Sequence, residues 1–128
     1  MAKMTMVEAL NLALKQEMAR DDSVVLLGQD IGPDGGVFRV TDQLFDSFGP
    51  DRVIDTPLAE SSIVGMSVGM AVYGLKPVCE IQFSGFAYEN FHQLENHAAR
   101  MRWRTQGRLT VPMVMRAPYG GGVRALEH

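Results

Sequence analysis

Apolar positions along this chain recur in two rhythms, and their alternation predicts the architecture. Val7, Leu10, Leu14 and Met18 fall at helical spacing behind Thr5-Met6-Val7-Glu8, the T-x-x-E form of a capping box. The spacing therefore predicts an amphipathic helix over 5–20, ended by Asp21-Asp22-Ser23. The run SVVLLGQD carries no polar alternation, the pattern of a strand buried on both faces of a parallel sheet. Three glycines and Pro33 make 31–36 a loop at that strand's carboxyl end, the edge where open α/β sheets put their ligands. Val40, Leu44, Phe45 and Phe48 predict a second helix, stopped by Gly49-Pro50.

The segment RVIDTP reads as a short strand stopped by Pro57, and the next helix, closed by Gly74, carries Ser61, Gly65 and Gly69 every fourth residue on one face. Such a face lets another backbone approach closely. Each of those glycines costs roughly 1 kcal/mol against alanine in a helix, which close packing would offset. Lys76-Pro77 leads into VCEIQF, a further short strand. A long helix is expected from Ser84 or Gly85, with Ala87, Phe91, Leu94, Ala98 and Met101 inward and Glu89, Gln93 and the arginines outward. Residues 104–107 break it, 109–116 supply the strand VPMVMR, and APYGGGVRALEH is a glycine-rich loop. Strands alternating with helices specify an α/β fold, a doubly wound parallel sheet with helices on both faces, in one domain over 1–128.

Composition narrows the function classes. A formal charge of -3, from 12 Lys and Arg against 15 acids, leaves no broad basic face for nucleic acid or an anionic membrane. The one basic cluster, Arg100, Arg102, Arg104 and Arg108, suits an acidic partner or solvent. The single cysteine, Cys79, excludes an internal disulfide and fits a reducing compartment, and the expected location is the cytoplasm. No apolar run has membrane-spanning length. Nine methionines read as flexible core filler.

Chemical candidates are few. His92 and His97 stand five residues apart, and on one α-helix they would point about 140° away from each other, which argues against a shared metal. Gly120-Gly121-Gly122 fits no phosphate-binding motif and reads as a turn. Cys79 sits mid-strand, where a buried inert thiol is expected. Glu60 lies where the RVIDTP strand hands over to its helix; at its plainest it is a favourable charge in a first helical turn.

Three segments add a resemblance: GQDIGPDGGVFRVTDQL, RVIDTPLAESSIVGMSVGMAVYGLKPVCEIQF and RWRTQGRLTVPMVMRAPYGGGVR. Together they resemble the N-terminal pyrimidine-binding domain of the beta subunit of thiamine diphosphate-dependent 2-oxo acid dehydrogenases, of the pyruvate or branched-chain type, over almost the whole chain. The resemblance implies that Glu60, the acid of D-T-P-L-A-E, hydrogen-bonds N1' of the cofactor's aminopyrimidine. Proton sharing there favours the imino form of the 4'-amino group, which then takes the thiazolium C2 proton. It implies that Phe86 packs on the aminopyrimidine, and that Gly107, Leu109 and Thr110 fall where some branched-chain members bind K+ through backbone carbonyls.

The implied partners are an alpha subunit in an α2β2 heterotetramer, which holds the diphosphate and its Mg2+, and a lipoyl acyltransferase core. The implied reaction is oxidative decarboxylation of a 2-oxo acid with acyl transfer to lipoamide. Two departures stand out. The family has Glu where this chain has Gln29, and the family's His-Ser pair falls one position beyond His128, whose Leu-Glu-His context also matches a vector-derived tail. The chain thus reads as a fragment lacking the C-terminal half of a beta subunit. Two other readings compete: the central domain of a transketolase-like or deoxyxylulose phosphate synthase protein, which shares the pyrimidine-binding fold and its glutamate, and a non-catalytic nucleotide- or partner-binding module with a flavodoxin-like sheet, in which Glu60 is only a helix-start charge. On the beta-subunit reading the 128-residue chain turns over no 2-oxo acid without an alpha subunit and the missing half; measurable decarboxylation by the purified chain would contradict it.

Overall fold

A computed structural model describes residues 3–120. Helix α1 (Met6–Arg20) starts where the sequence directs. The Thr5 hydroxyl accepts from the Glu8 amide at 3.2 Å, and the Thr5 amide donates to Glu8 Oε2 at 2.7 Å, completing the capping box. The helix ends at Asp21, whose carboxylate accepts from Lys76 Nζ at 2.5 Å and from the Ser23 amide and hydroxyl. Those bonds, the one from Lys76 foremost, hold its pKa well below the ordinary carboxylate range.

Four strands, β1 (Val24–Gln29), β2 (Val53–Thr56), β3 (Lys76–Glu80) and β4 (Val114–Arg116), form one parallel sheet in the order β2-β1-β3-β4. β1 is buried from Val24 to Gly28, as its unbroken apolar run requires, and its alternate residues face two separate cores. Val24 and Leu26 join Met18, Ile31, Leu44 and Val53 beneath α1 and the short helix α2 (Leu44–Phe48). Leu27 joins Ile63, Val64, Cys79 and Ile81 beneath α3 (Glu60–Val72). Helices therefore cover both faces, and each fully buried Leu, Ile or Val stabilises the fold by about 1.5–3 kcal/mol. Cys79 is buried in the second core, and that burial pushes its thiol pKa up, so it is an inert apolar group as expected.

Several elements are shorter than the periodicity predicts. Val40 is buried, but it lies in the loop before α2, and β4 occupies only the last residues of 109–116. The expected single helix after β3 is three pieces: a 3-10 stretch (Ser84–Asn90), a π-helical turn (Gln93–Ala98) and one α-helical turn, α4 (Met101–Arg104). The changes of pitch rotate the faces. Phe91, expected inward, is exposed and Asn90 is buried in its place. Gln93, expected outward, turns to α3, where its Nε2 donates to Ser61 Oγ at 3.4 Å and its side chain lies 3.4 Å from where a Cβ on Gly65 would stand. The small face of α3 thus accommodates a glutamine side chain at Gly65, and Gly69 faces open space.

Arg52, between Pro50 and β2, ties the first core shut. Its guanidinium donates to the carbonyls of Val24 at 2.8 Å, Met18 at 3.1 Å and Asp21 at 3.0 Å, so it caps the end of α1 and the start of β1 together. Charged donors to half-buried carbonyls contribute about 1.5–3 kcal/mol each in mutational series, not additively. Arg52→Ala is expected to lower unfolding stability by about 2–3 kcal/mol in denaturant titrations. A loss below about 1 kcal/mol would show that water replaces these bonds without penalty.

Candidate functional site

Because every strand is parallel, the chain leaves each of them at the same edge, and the loops collect there. β1 continues into the loop 30–43, and β3 continues into Ile81, Gln82 and Phe83. These two neighbours are connected in opposite directions, β1 on to β2 and β3 on to β4. They therefore bound the topological switch point, where open α/β sheets form their ligand crevice. Gln82 Nε2 donates to Asp30 Oδ2 at 2.6 Å, and the Phe38 ring meets the Phe83 ring edge-on at 5.5 Å. Phe83 in turn meets Phe86 at 5.9 Å and 89°. The two loops are thus clasped by one polar bond and a file of three aromatic rings.

Beneath this clasp lies a buried ion pair. Glu80 and Arg116 are register partners on β3 and β4, and their side chains pair on the α1 face, with Glu80 4% and Arg116 17% exposed. The space for Glu80 exists because β1 carries Gly28 beside it; a Cβ there would come within 2.8 Å of the Glu80 carbonyl oxygen. Gly36, at φ +81°, covers the carboxylate with bare backbone, and the Thr41 hydroxyl pins the same loop by donating to the Ile31 carbonyl at 2.8 Å. Burial pushes the Glu80 pKa up, and the Arg116 guanidinium offsets part of that rise.

Glu60 is the first residue of α3, at the same carboxyl edge. It is half-buried, and it has no hydrogen-bond or ion-pair partner among the described residues. Phe86 is half-buried in the 3-10 stretch, its ring packed on the second core, and that stretch lies directly against α3. The fold therefore assembles the elements carrying Glu60 and Phe86. Gly107, Leu109 and Thr110 stand apart, exposed in the turn after α4. The Gly107 amide closes that turn onto the Arg102 carbonyl at 2.8 Å, and the Leu109 amide donates to Thr105 Oγ1 at 3.0 Å. Gly121, Gly122 and His128 lie outside the described residues.

A cavity of about 570 Å³ opens on the α1 side of the clasp, lined by Leu10, Phe38, Val40, Phe83, Arg116 and Tyr119 among others. It is lined by neither Glu60 nor Phe86. Glu80 and Arg116 were not singled out from the sequence, although a signal existed. Each is the lone charge in its strand run, VCEIQF and VPMVMR, and buried charges demand partners.

The family described as the transketolase pyrimidine-binding domain matches residues 2–128. Among curated proteins, the chain is 57% identical over 128 residues to the pyruvate dehydrogenase E1 component subunit beta of Acholeplasma laidlawii. It is 54% identical over 127 residues to the protein of that name from Staphylococcus epidermidis, and 52% identical to that from Staphylococcus aureus. These alignments cover 99–100% of this chain and 39% of each relative, so the chain spans about two fifths of their length.

The raised pKa of Glu80 fixes the sign of a pH effect. A carboxyl whose folded pKa lies above its unfolded value of about 4.3 favours folding when protonated and loses that contribution as pH rises through the folded value. The stability of the wild-type chain relative to Glu80→Gln is therefore expected to fall as pH rises above the unfolded carboxyl value of about 4.3 in paired denaturant titrations. A relative stability that rises over that range would mean that Arg116 outweighs burial.

Proposed function

We propose, from the premise that this chain belongs to the transketolase pyrimidine-binding domain family, that it forms the aminopyrimidine half of a thiamine diphosphate site in the decarboxylating component of a 2-oxo acid dehydrogenase. The subunit is the beta subunit and the substrate is pyruvate. The reading is supported by the identities of 52–57% to beta subunits named for pyruvate dehydrogenase. The single observation that carries it is the state of Glu60: a half-buried carboxylate, unengaged among the described residues, at the carboxyl edge of a parallel sheet and the first turn of α3. Buried and half-buried acids are ordinarily engaged with partners of their own. One held open at a ligand-binding edge is suited to a proton-bearing nitrogen from outside.

The residues fit the group. Glu60 would share a proton with N1' of the aminopyrimidine and hold the ring in one tautomer. Phe86, whose ring is braced edge-on by Phe83, would pack against the flat ring and keep water from it. The bound cofactor supplies the electron sink for loss of carbon dioxide from a 2-oxo acid. What this chain contributes is orientation and one proton position.

The described residues offer no cluster of three metal-ligating side chains. By the likeness to beta subunits of pyruvate dehydrogenase, we assign the diphosphate and Mg2+ to an alpha subunit in an α2β2 assembly, and acyl transfer to a lipoyl acyltransferase core. Gly107, Leu109 and Thr110 would hold K+ by their carbonyls. Among the described residues no backbone amide donates to those three oxygens, and Leu109 O receives only a 3.5 Å contact from Thr105 Oγ1, which is the supply of free carbonyls a K+ ion requires.

The test is an intact beta subunit containing this sequence, paired with its alpha subunit. Glu60→Gln is expected to reduce decarboxylation by about 10²–10⁴-fold, the range for loss of positioned proton transfer, with folding and subunit assembly unchanged. Pyruvate is expected to be turned over in preference to 3-methyl-2-oxobutanoate. Unchanged rates in the variant would remove Glu60 from the chemistry, and the reverse substrate preference would make the enzyme a branched-chain one.

A further inference from the structure

The π-helical turn Gln93–Ala98 reverses one expectation drawn from spacing. On an α-helix, His92 and His97 would face about 140° apart. The structure closes this turn with i to i+5 bonding, the Ala99 amide donating to the Leu94 carbonyl at 2.8 Å. A ring closed over five residues stacks i on i+5. His92, the residue that leads into the turn, and His97, near its end, consequently lie on one face, their ring centres 5.2 Å apart at an interplanar angle of 74°.

That separation has a chemical meaning. Two imidazoles bound to one tetrahedral ion through nitrogens at about 2.0–2.1 Å require ring centres on the order of 5 Å apart. The backbone has therefore brought the two rings to the separation that one shared ion requires. The site is reachable, since His92 is exposed and His97 half-buried. Widened π turns are uncommon and often sit at functional positions, and here the widening is what brings the only two described histidines together.

We propose that His92 and His97 form a two-histidine clip for a borderline divalent transition ion such as Zn2+, Ni2+ or Cu2+. Each neutral imidazole donates one nitrogen lone pair and displaces one water from the hydrated ion. Imidazole pairs favour these metals over Mg2+ and Ca2+, which take oxygen ligands. No third histidine, cysteine or carboxylate completes a cluster among the described residues. The nearby acid Glu95 is engaged by Arg100, which also donates to Asn96 Oδ1 at 3.1 Å. Water fills the remaining positions, so the ion is exchangeable. The site is independent of Glu60 and of the cofactor reading.

The test is calorimetric titration of Zn2+ into the full chain carrying His128→Ala, which removes the one other histidine, with His92→Ala and His97→Ala added singly. The expected result is one equivalent of Zn2+ bound by the His128→Ala chain, weakened at least about tenfold by either further substitution, and no heat from Mg2+. Electron paramagnetic resonance of the Cu2+ form is expected to show two coordinating imidazole nitrogens, and one after either substitution, with circular dichroism reporting that each variant is folded. Failure of the His128→Ala chain to bind Zn2+, equal affinity in the single variants, or a Cu2+ spectrum with fewer than two imidazole nitrogens in the His128→Ala chain would overturn the proposal.

Discussion

Parallel pairing of β1 with β2 on one side and β3 on the other is the constraint from which the rest follows. Parallel strands cannot be joined by tight turns, so the chain crosses over a face and re-enters at the opposite edge each time. Every strand then ends on one side of the molecule, and the residues placed there are whatever follows the strand in sequence. After β1 comes the glycine-rich loop, after β2 comes Glu60, and after β3 come Gln82, Phe83 and Phe86. Local sequence decides what each loop carries; the sheet decides that they meet.

Two carboxylates near that edge illustrate how surroundings assign roles. Glu80 is enclosed between β1 and β4 and paired with Arg116, so its charge is spent within the fold. Such a pair contributes little net stability, because desolvating both ions offsets most of their attraction. Its effect here is on register, since the alignment of β4 on β3 and the absence of a side chain at Gly28 both have to be met for the pair to fit. Glu60 is left open, because Ala59 at the helix cap offers no side-chain oxygen and no cation is packed against it among the described residues. One acid is paired within the sheet, and the other stands at the sheet's carboxyl edge without a partner among the described residues.

How much of this was legible depended on whether the information was local. The capping box at Thr5, the unbroken apolar run of β1, and the stop at Gly49-Pro50 each specify their element from a few adjacent residues, and each element forms. The doubly wound sheet followed from their alternation, and the family from three longer segments. The stretch 84–104 failed because its pitch is not constant. Gln93 seats against Ser61 and Gly65 of α3, and the winding passes from 3-10 to π across this stretch. A constant 3.6-residue period therefore put Phe91 inside, Gln93 outside, and the two histidines on different faces. The ion pair of Glu80 with Arg116 was hidden for a related reason, because it requires strand order as well as strand existence.

The central claim is that the fold presents one unengaged carboxylate to a ring nitrogen brought from outside. Its most direct measurement is the distance from the Glu60 carboxylate to the pyrimidine N1' in a crystal structure of the assembled alpha and beta subunits with thiamine diphosphate bound. The account predicts a single hydrogen bond of about 2.6–3.0 Å, with the Phe86 ring against the pyrimidine. A Glu60 side chain turned toward the second core, or paired with a cation of the partner subunit while N1' is held by another residue, would contradict it.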